Sequence, residues 1–104
     1  MATTFSNSKN PEIDGITTTD LYGECTNKHS GTSAAAPEAA GVVALALSVN
    51  PSLTWRDVQH LIVLTSKRKA LHDSVHIWKK NGVGLEFNHL FGFGLLDAGS
   101  MTVF

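Results

Sequence analysis

The sequence predicts an α/β fold, and three observations predict it. Residues 32–48 form a long run poor in charge and rich in alanine, the best helix former. Residues 54–65 place apolar side chains at helical spacing behind a capping threonine. β-Branched residues gather at Ile16-Thr17-Thr18-Thr19, and Asn81-Gly82 carries the strongest short-range hairpin signal. With 104 residues the chain suffices for one small domain with a modest core, and 42% hydrophobic against 16% charged residues decides for a globular chain over a disordered one.

In order, residues 2–12 have loop composition, with Thr3, Thr4 and Phe5 able to finish a strand. Ile13-Asp14-Gly15 reads as a turn, Ile16 to Leu21 as a strand, and Tyr22 to Lys28 as a loop. The first helix is expected from about Thr32 to Ser48, with Pro37 tolerated in the first turn and Asn50-Pro51 ending it. It is apolar nearly all round, as a helix inside a larger protein is. Thr54-Trp55-Arg56-Asp57 opens a second helix, with Val58, Leu61, Ile62 and Thr65 on its buried face and His60 beside it. Lys67-Arg68-Lys69 reads as a solvated helix end, with a dibasic cleavage site or anion patch as the functional alternative. Val75, Ile77 and Trp78 are expected anchors. A strand follows over Val83–Leu90, then a loop at Phe91-Gly92-Phe93-Gly94 whose glycines imply positive φ or close backbone contact. A third helix starts at Leu95 to Gly99. No linker divides these elements, so residues 1–104 read as one piece.

Chemistry concentrates at His29-Ser30-Gly31-Thr32-Ser33. A serine at the start of a buried helix has exposed N–H groups beside it and the positive end of the helix dipole beneath it, conditions that stabilise a developing oxyanion. On chemistry alone the plainer reading wins, that Ser33 or Thr32 is only an N-cap, since capping serines far outnumber nucleophilic ones. No Gly-x-Ser-x-Gly elbow surrounds Ser33, which argues against an esterase-type hydrolase, and no Gly-Lys-Ser/Thr follows Gly31, which excludes a phosphate loop. A net charge of −1 gives no electrostatic case for nucleic acid or an anionic membrane. The five histidines are scattered and suggest no dedicated metal site. The single cysteine, Cys25, excludes an internal disulfide and reads as a buried free thiol. The apolar run Ala39–Leu47 falls short of the roughly 20 residues that span a bilayer, and residues 1–7 lack the features of a signal peptide.

Gly31-Thr32-Ser33 followed by small residues and Pro37 resembles the nucleophile motif of the subtilisin-like serine proteases. The longer stretch His29–Leu47 is similar to the kexin and proprotein-convertase branch. So are Thr18-Thr19-Asp20-Leu21, Leu53-Thr54-Trp55-Arg56-Asp57, Leu64-Thr65-Ser66-Lys67-Arg68, Asn81-Gly82-Val83-Gly84 and Gly92-Phe93-Gly94-Leu95-Leu96-Asp97-Ala98-Gly99. The resemblance implies the C-terminal portion of a subtilisin-like catalytic domain (peptidase S8), with its nucleophile helix packed on a parallel sheet. It implies a calcium-dependent endopeptidase of the secretory pathway that cleaves prohormones after paired basic residues. Ser33 would be the nucleophile. Substrate peptide and the remainder of the catalytic domain would be the partners.

The same resemblance puts the triad acid and base, the side-chain oxyanion donor, the acidic substrate-reading residues and the calcium ligands upstream of the serine motif. None is identified in this chain, and His29 is a weak substitute base. Cys25 would lack the upstream partner it has in the family. The isolated chain is therefore expected to hydrolyse peptides poorly and to associate through exposed apolar surface along Ala39–Leu47. The alternative is a catalytically inactive piece that binds a partner or is vestigial.

Overall fold

The computed structural model describes residues 1–6, 15–69, 71 and 77–104. These fall into two compact units, one of residues 4–39 and one of residues 1–3 with 40–104. The expected turn residues Ile13 and Asp14 and the expected anchor Val75 lie outside the described residues.

The first unit is a β-hairpin leading into a helix. Strand β1 (Ile16–Thr19) pairs antiparallel with β2 (Cys25–His29), Ile16 opposite His29 and Thr19 opposite Cys25, with a register irregularity between Ile16 and Thr18. The loop expected over Tyr22–Lys28 is thus mostly strand. Cross-strand hydrogen bonding to β1 overrides the weak local signal of Asn27 and Lys28, and a single 3-10 turn at Leu21–Gly23 suffices to reverse the chain. Helix α1 follows, Thr32–Val49. Pro37 lies beyond its first turn, a correction to the expected position. Having no N–H, it cannot donate to the Ser33 carbonyl one turn back.

In the second unit α1 meets α2 (Trp55–Thr65) and α3 (Ala98–Val103) around a core of Ala46, Leu61 and Met101, flanked by Val42, Val43, Leu53, Ile62 and Leu96. This core is thin: among the described residues only these three and Ala34 are buried hydrophobic side chains. Leu45 is 53% exposed and Val49 60%, so α1 leaves much of its apolar surface uncovered, as the sequence predicts. By length and composition alone α1 is apolar enough to cross a membrane. A core helix of a larger domain has the same composition.

Backbone pairing ties the rest of this unit together. Leu95 exchanges two 2.8 Å hydrogen bonds with Lys67, and Thr3 pairs in parallel beside it, donating to Gly94 O at 2.9 Å and accepting from Leu96 N at 3.0 Å. Leu95 and Leu96 are thus in extended pairing, and α3 starts later than expected, at Ala98, where Asp97 accepts from Ser100 N at 2.8 Å. Lys67 belongs to this pairing and not to a helix end, because α2 stops at Thr65; its ammonium lies 3.7 Å from Asp97. The Thr3–Leu95 bridge is the only parallel pairing among the described residues.

Strands β3 (Lys79–Lys80) and β4 (Glu86–Phe87) form the hairpin expected near Asn81-Gly82. The strand expected over Val83–Leu90 contracts to β4, because Asn81 Oδ1 accepts from Val83 N and Leu85 N and holds residues 81–85 as the turn. Trp78 stacks on Phe91, ring centres 6.3 Å apart, whereas Ile77 is exposed and anchors nothing among the described residues.

The expected capping box at the start of α2 is present. Asp57 N donates to Thr54 Oγ1 at 3.1 Å and Thr54 N to Asp57 Oδ2 at 2.8 Å. Accepting from the Thr54 backbone N–H, and then from its hydroxyl, holds the Asp57 carboxyl below its ordinary value; the Ser100 N–H does the same for Asp97, helped by Lys67. A depressed folded-state pKa contributes stability above the unfolded value that is lost as pH falls through the folded one. Stability is therefore expected to fall below about pH 4, and Asp57→Asn and Asp97→Asn should each flatten that limb in urea titrations at graded pH. Thr54→Ala should cost about 1 kcal/mol.

Candidate active site

The turn from β2 into α1 positions Ser33. Gly31, at φ 91°, reverses the chain after the strand; a side chain there would be strained. Its carbonyl accepts from Ala34 N at 2.9 Å and Ala35 N at 3.3 Å, which makes Gly31 the N-cap. A glycine cap has no side-chain oxygen to offer, so the Thr32 and Ser33 N–H groups are not capped by it. No acidic residue occupies the first turn. The positive end of an 18-residue helix is therefore left for an external anion, with the Ser33 side chain exposed beside it. Thr4 Oγ1 donates to Ala35 O at 2.9 Å and braces this first turn.

Gly31, and not Thr32 or Ser33, thus occupies the cap position. Among the described residues no side chain hydrogen-bonds the Ser33 hydroxyl. His29, four residues earlier, is exposed at the end of β2. His60 is exposed on α2 and lines a groove of about 400 Å³ with Leu53, Leu64 and Phe104; His89 is exposed in the loop after β4. His72 and His76 lie outside the described residues. Cys25 is exposed, not buried as expected, since an edge position on β2 turns it outward from a two-stranded ribbon that has no core face.

Among the described residues no three His, Cys, Asp or Glu side chains converge on a point that could hold a metal ion. The described residues therefore do not fit a calcium site.

Sequence reasoning missed two features of this region, the strand β2 and the role of Gly31. Only the second had a signal, a glycine immediately ahead of the Thr-Ser that opens the helix.

The Subtilase family model (Peptidase S8) matches residues 4–94. The chain is 72% identical to neuroendocrine convertase 2 of Rattus norvegicus over 104 residues, covering 98% of this chain and 16% of that protein. Neuroendocrine convertase 2 of Drosophila melanogaster is 68% identical, again over 98% of this chain and 16% of the relative. The crystal structure of a serine protease of Aeromonas sobria superposes with a TM-score of 0.69 at 27% identity, covering 81% of this chain and 17% of that one. This chain thus spans about one-sixth of the length of the relatives it matches. The resemblance noted at the serine motif extends across nearly the whole chain, with the subtype resemblance at Ala34–Gly41 and Leu85–Gly92 pointing to neuroendocrine convertase 2, and the chain belongs to the subtilase family, in its kexin-like branch.

Proposed function

We propose that this chain supplies the nucleophile-bearing part of a serine endopeptidase that cleaves prohormone-like peptides after paired basic residues, and that residues 1–104 are a portion of one peptidase S8 catalytic domain. One observation carries the reading: Ser33 stands exposed at the glycine-capped, acid-free N-terminus of α1. Its hydroxyl oxygen attacks the scissile carbonyl, and the carbonyl oxygen, now anionic, accepts from the Ser33 N–H and gains from the helix dipole. The hydroxyl proton passes to a histidine base, which gives it to the leaving amine as the C–N bond breaks, and water then hydrolyses the acyl-enzyme with the same histidine as base. In subtilisins the acid and base precede the serine in chain order. We place both in the part of the protein that this chain does not span.

The 72% identity to neuroendocrine convertase 2 supports the paired-basic specificity, a secretory-pathway location and a calcium requirement met elsewhere in the protein. The uncovered face of α1 is the surface on which the remainder of the catalytic domain would pack. A second reading, a catalytically inactive binding or vestigial piece, is favoured for the isolated chain by the absence of any base on the Ser33 hydroxyl among the described residues.

The test is hydrolysis of fluorogenic peptides by the full-length protein. Cleavage after Lys-Arg or Arg-Arg is expected, with at least about 100-fold lower kcat/KM when the second basic residue becomes apolar, the order of a lost buried charge pair. Equal rates on both peptides would overturn the specificity.

A further inference from the structure

The tip of the β1–β2 hairpin carries chemistry that the serine site does not use. Tyr22 is the chain's single tyrosine and is 96% exposed. It is also the only non-glycine among the described residues with positive φ, at φ 58° and ψ 31°, a conformation that is costly for a bulky side chain. Hydrogen bonds hold it there. Asp20 N donates to Glu24 O at 2.8 Å, Glu24 N to Leu21 O at 3.2 Å, and Leu21 N to Asp20 Oδ1 at 2.8 Å. The phenol is therefore displayed on a closed five-residue turn and packs against nothing among the described residues.

The charge around it is one-sided. Carboxylates stand two residues before and two residues after it, at Asp20 and Glu24, both exposed, and no basic residue occurs between Gly15 and Asn27. An exposed tyrosine on a turn between acidic residues suits an enzyme whose acceptor cleft is basic. Sulfuryl transferases are of this kind, because their nucleotide donor and their acidic acceptors are both anionic.

We propose that Tyr22 is a site of tyrosine O-sulfation. The Tyr22 phenolic oxygen attacks the sulfur of 3′-phosphoadenylyl sulfate, and the bond from sulfur to the 5′-phosphate oxygen breaks. The adenosine bisphosphate leaves with the electron pair, and the phenolic proton goes to a base on the transferase. Nothing is oxidised or reduced. The product adds a fixed negative charge to a tip that already carries two. This inference rests on the proposed secretory location only for the place where donor, transferase and chain meet.

The test uses the full-length protein secreted from cultured cells, followed by mass spectrometry of the tryptic peptide of residues 10–28, resolving sulfate from phosphate. Sulfate on Tyr22 in most molecules is expected, lost in Tyr22→Phe and reduced several-fold in Asp20→Asn/Glu24→Gln. Labelling of the same samples by a fluorophosphonate should be unchanged, which separates this inference from the protease reading. An unmodified Tyr22 in secreted protein, or phosphate in place of sulfate, overturns it. Should the protein not be secreted, purified protein with a tyrosylprotein sulfotransferase and labelled donor decides. Incorporation dependent on Tyr22 supports the site, and its absence overturns it.

Discussion

Ser33→Ala is expected to lower kcat/KM of the full-length protein on a paired-basic peptide by a factor on the order of 10⁴–10⁶, with KM nearly unchanged. The substitution removes only the hydroxyl. The backbone N–H at residue 33, the dipole of α1 and the Gly31 turn all persist. Residual oxyanion stabilisation and substrate binding should survive, so activity should fall to a floor above the uncatalysed rate. Alanine propagates a helix better than serine, so stability should hold or rise slightly. Steady-state kinetics paired with urea unfolding separates the two effects. A loss of rate accompanied by an equal loss of folded protein would remove the catalytic role from Ser33.

Gly94→Ala carries the largest expected effect on stability, about 3–5 kcal/mol. Gly94 has φ 130°, where side chains are strained, and an added Cβ would lie 2.5 Å from Lys67 O. Backbone, not a flexible side chain, occupies that space. The clash falls on the pairing of Lys67 with Leu95, which also receives Thr3. Gly92→Ala should behave similarly, since φ is 59° and its Cβ would collide with the Met1 carbonyl. Gly82→Ala is the control: its φ is not positive and nothing lies within 4 Å of the added atom, so a change within about 1 kcal/mol is expected. Urea midpoints of the three variants in the full-length protein test the ranking.

How much was legible follows from which forces act locally. Both long helices were readable because alanine content, capping chemistry and apolar period are local properties; Thr54 and Asp57 form the box that their spacing predicts. The paired glycines at 92 and 94 were readable because positive φ is a property of one residue. Strand β2 was not, since Cys25-Thr26-Asn27-Lys28-His29 has little strand character until β1 pairs with it. Leu95 and Leu96 look helical by composition but are extended, claimed by Lys67 on one side and Thr3 on the other. Val83 and Gly84 have the local pattern of a strand but lie in a turn, because the Asn81 side chain, not the backbone pattern, sets its length. At the serine site the motif was legible at once. The glycine cap that leaves its N–H groups open required the structure.

The most direct measurement is fluorophosphonate labelling of two proteins, residues 1–104 alone and the full-length protein, with the modified residue located by mass spectrometry. Labelling of Ser33 in the full-length protein but not in residues 1–104, lost on Ser33→Ala, is the predicted result. It would place the nucleophile on this chain and its base outside it. Labelling of Ser33 in residues 1–104 alone would contradict the assignment of the base and direct attention to His29. No labelling of Ser33 in the full-length protein, with the protein shown to be folded, would contradict the catalytic role itself.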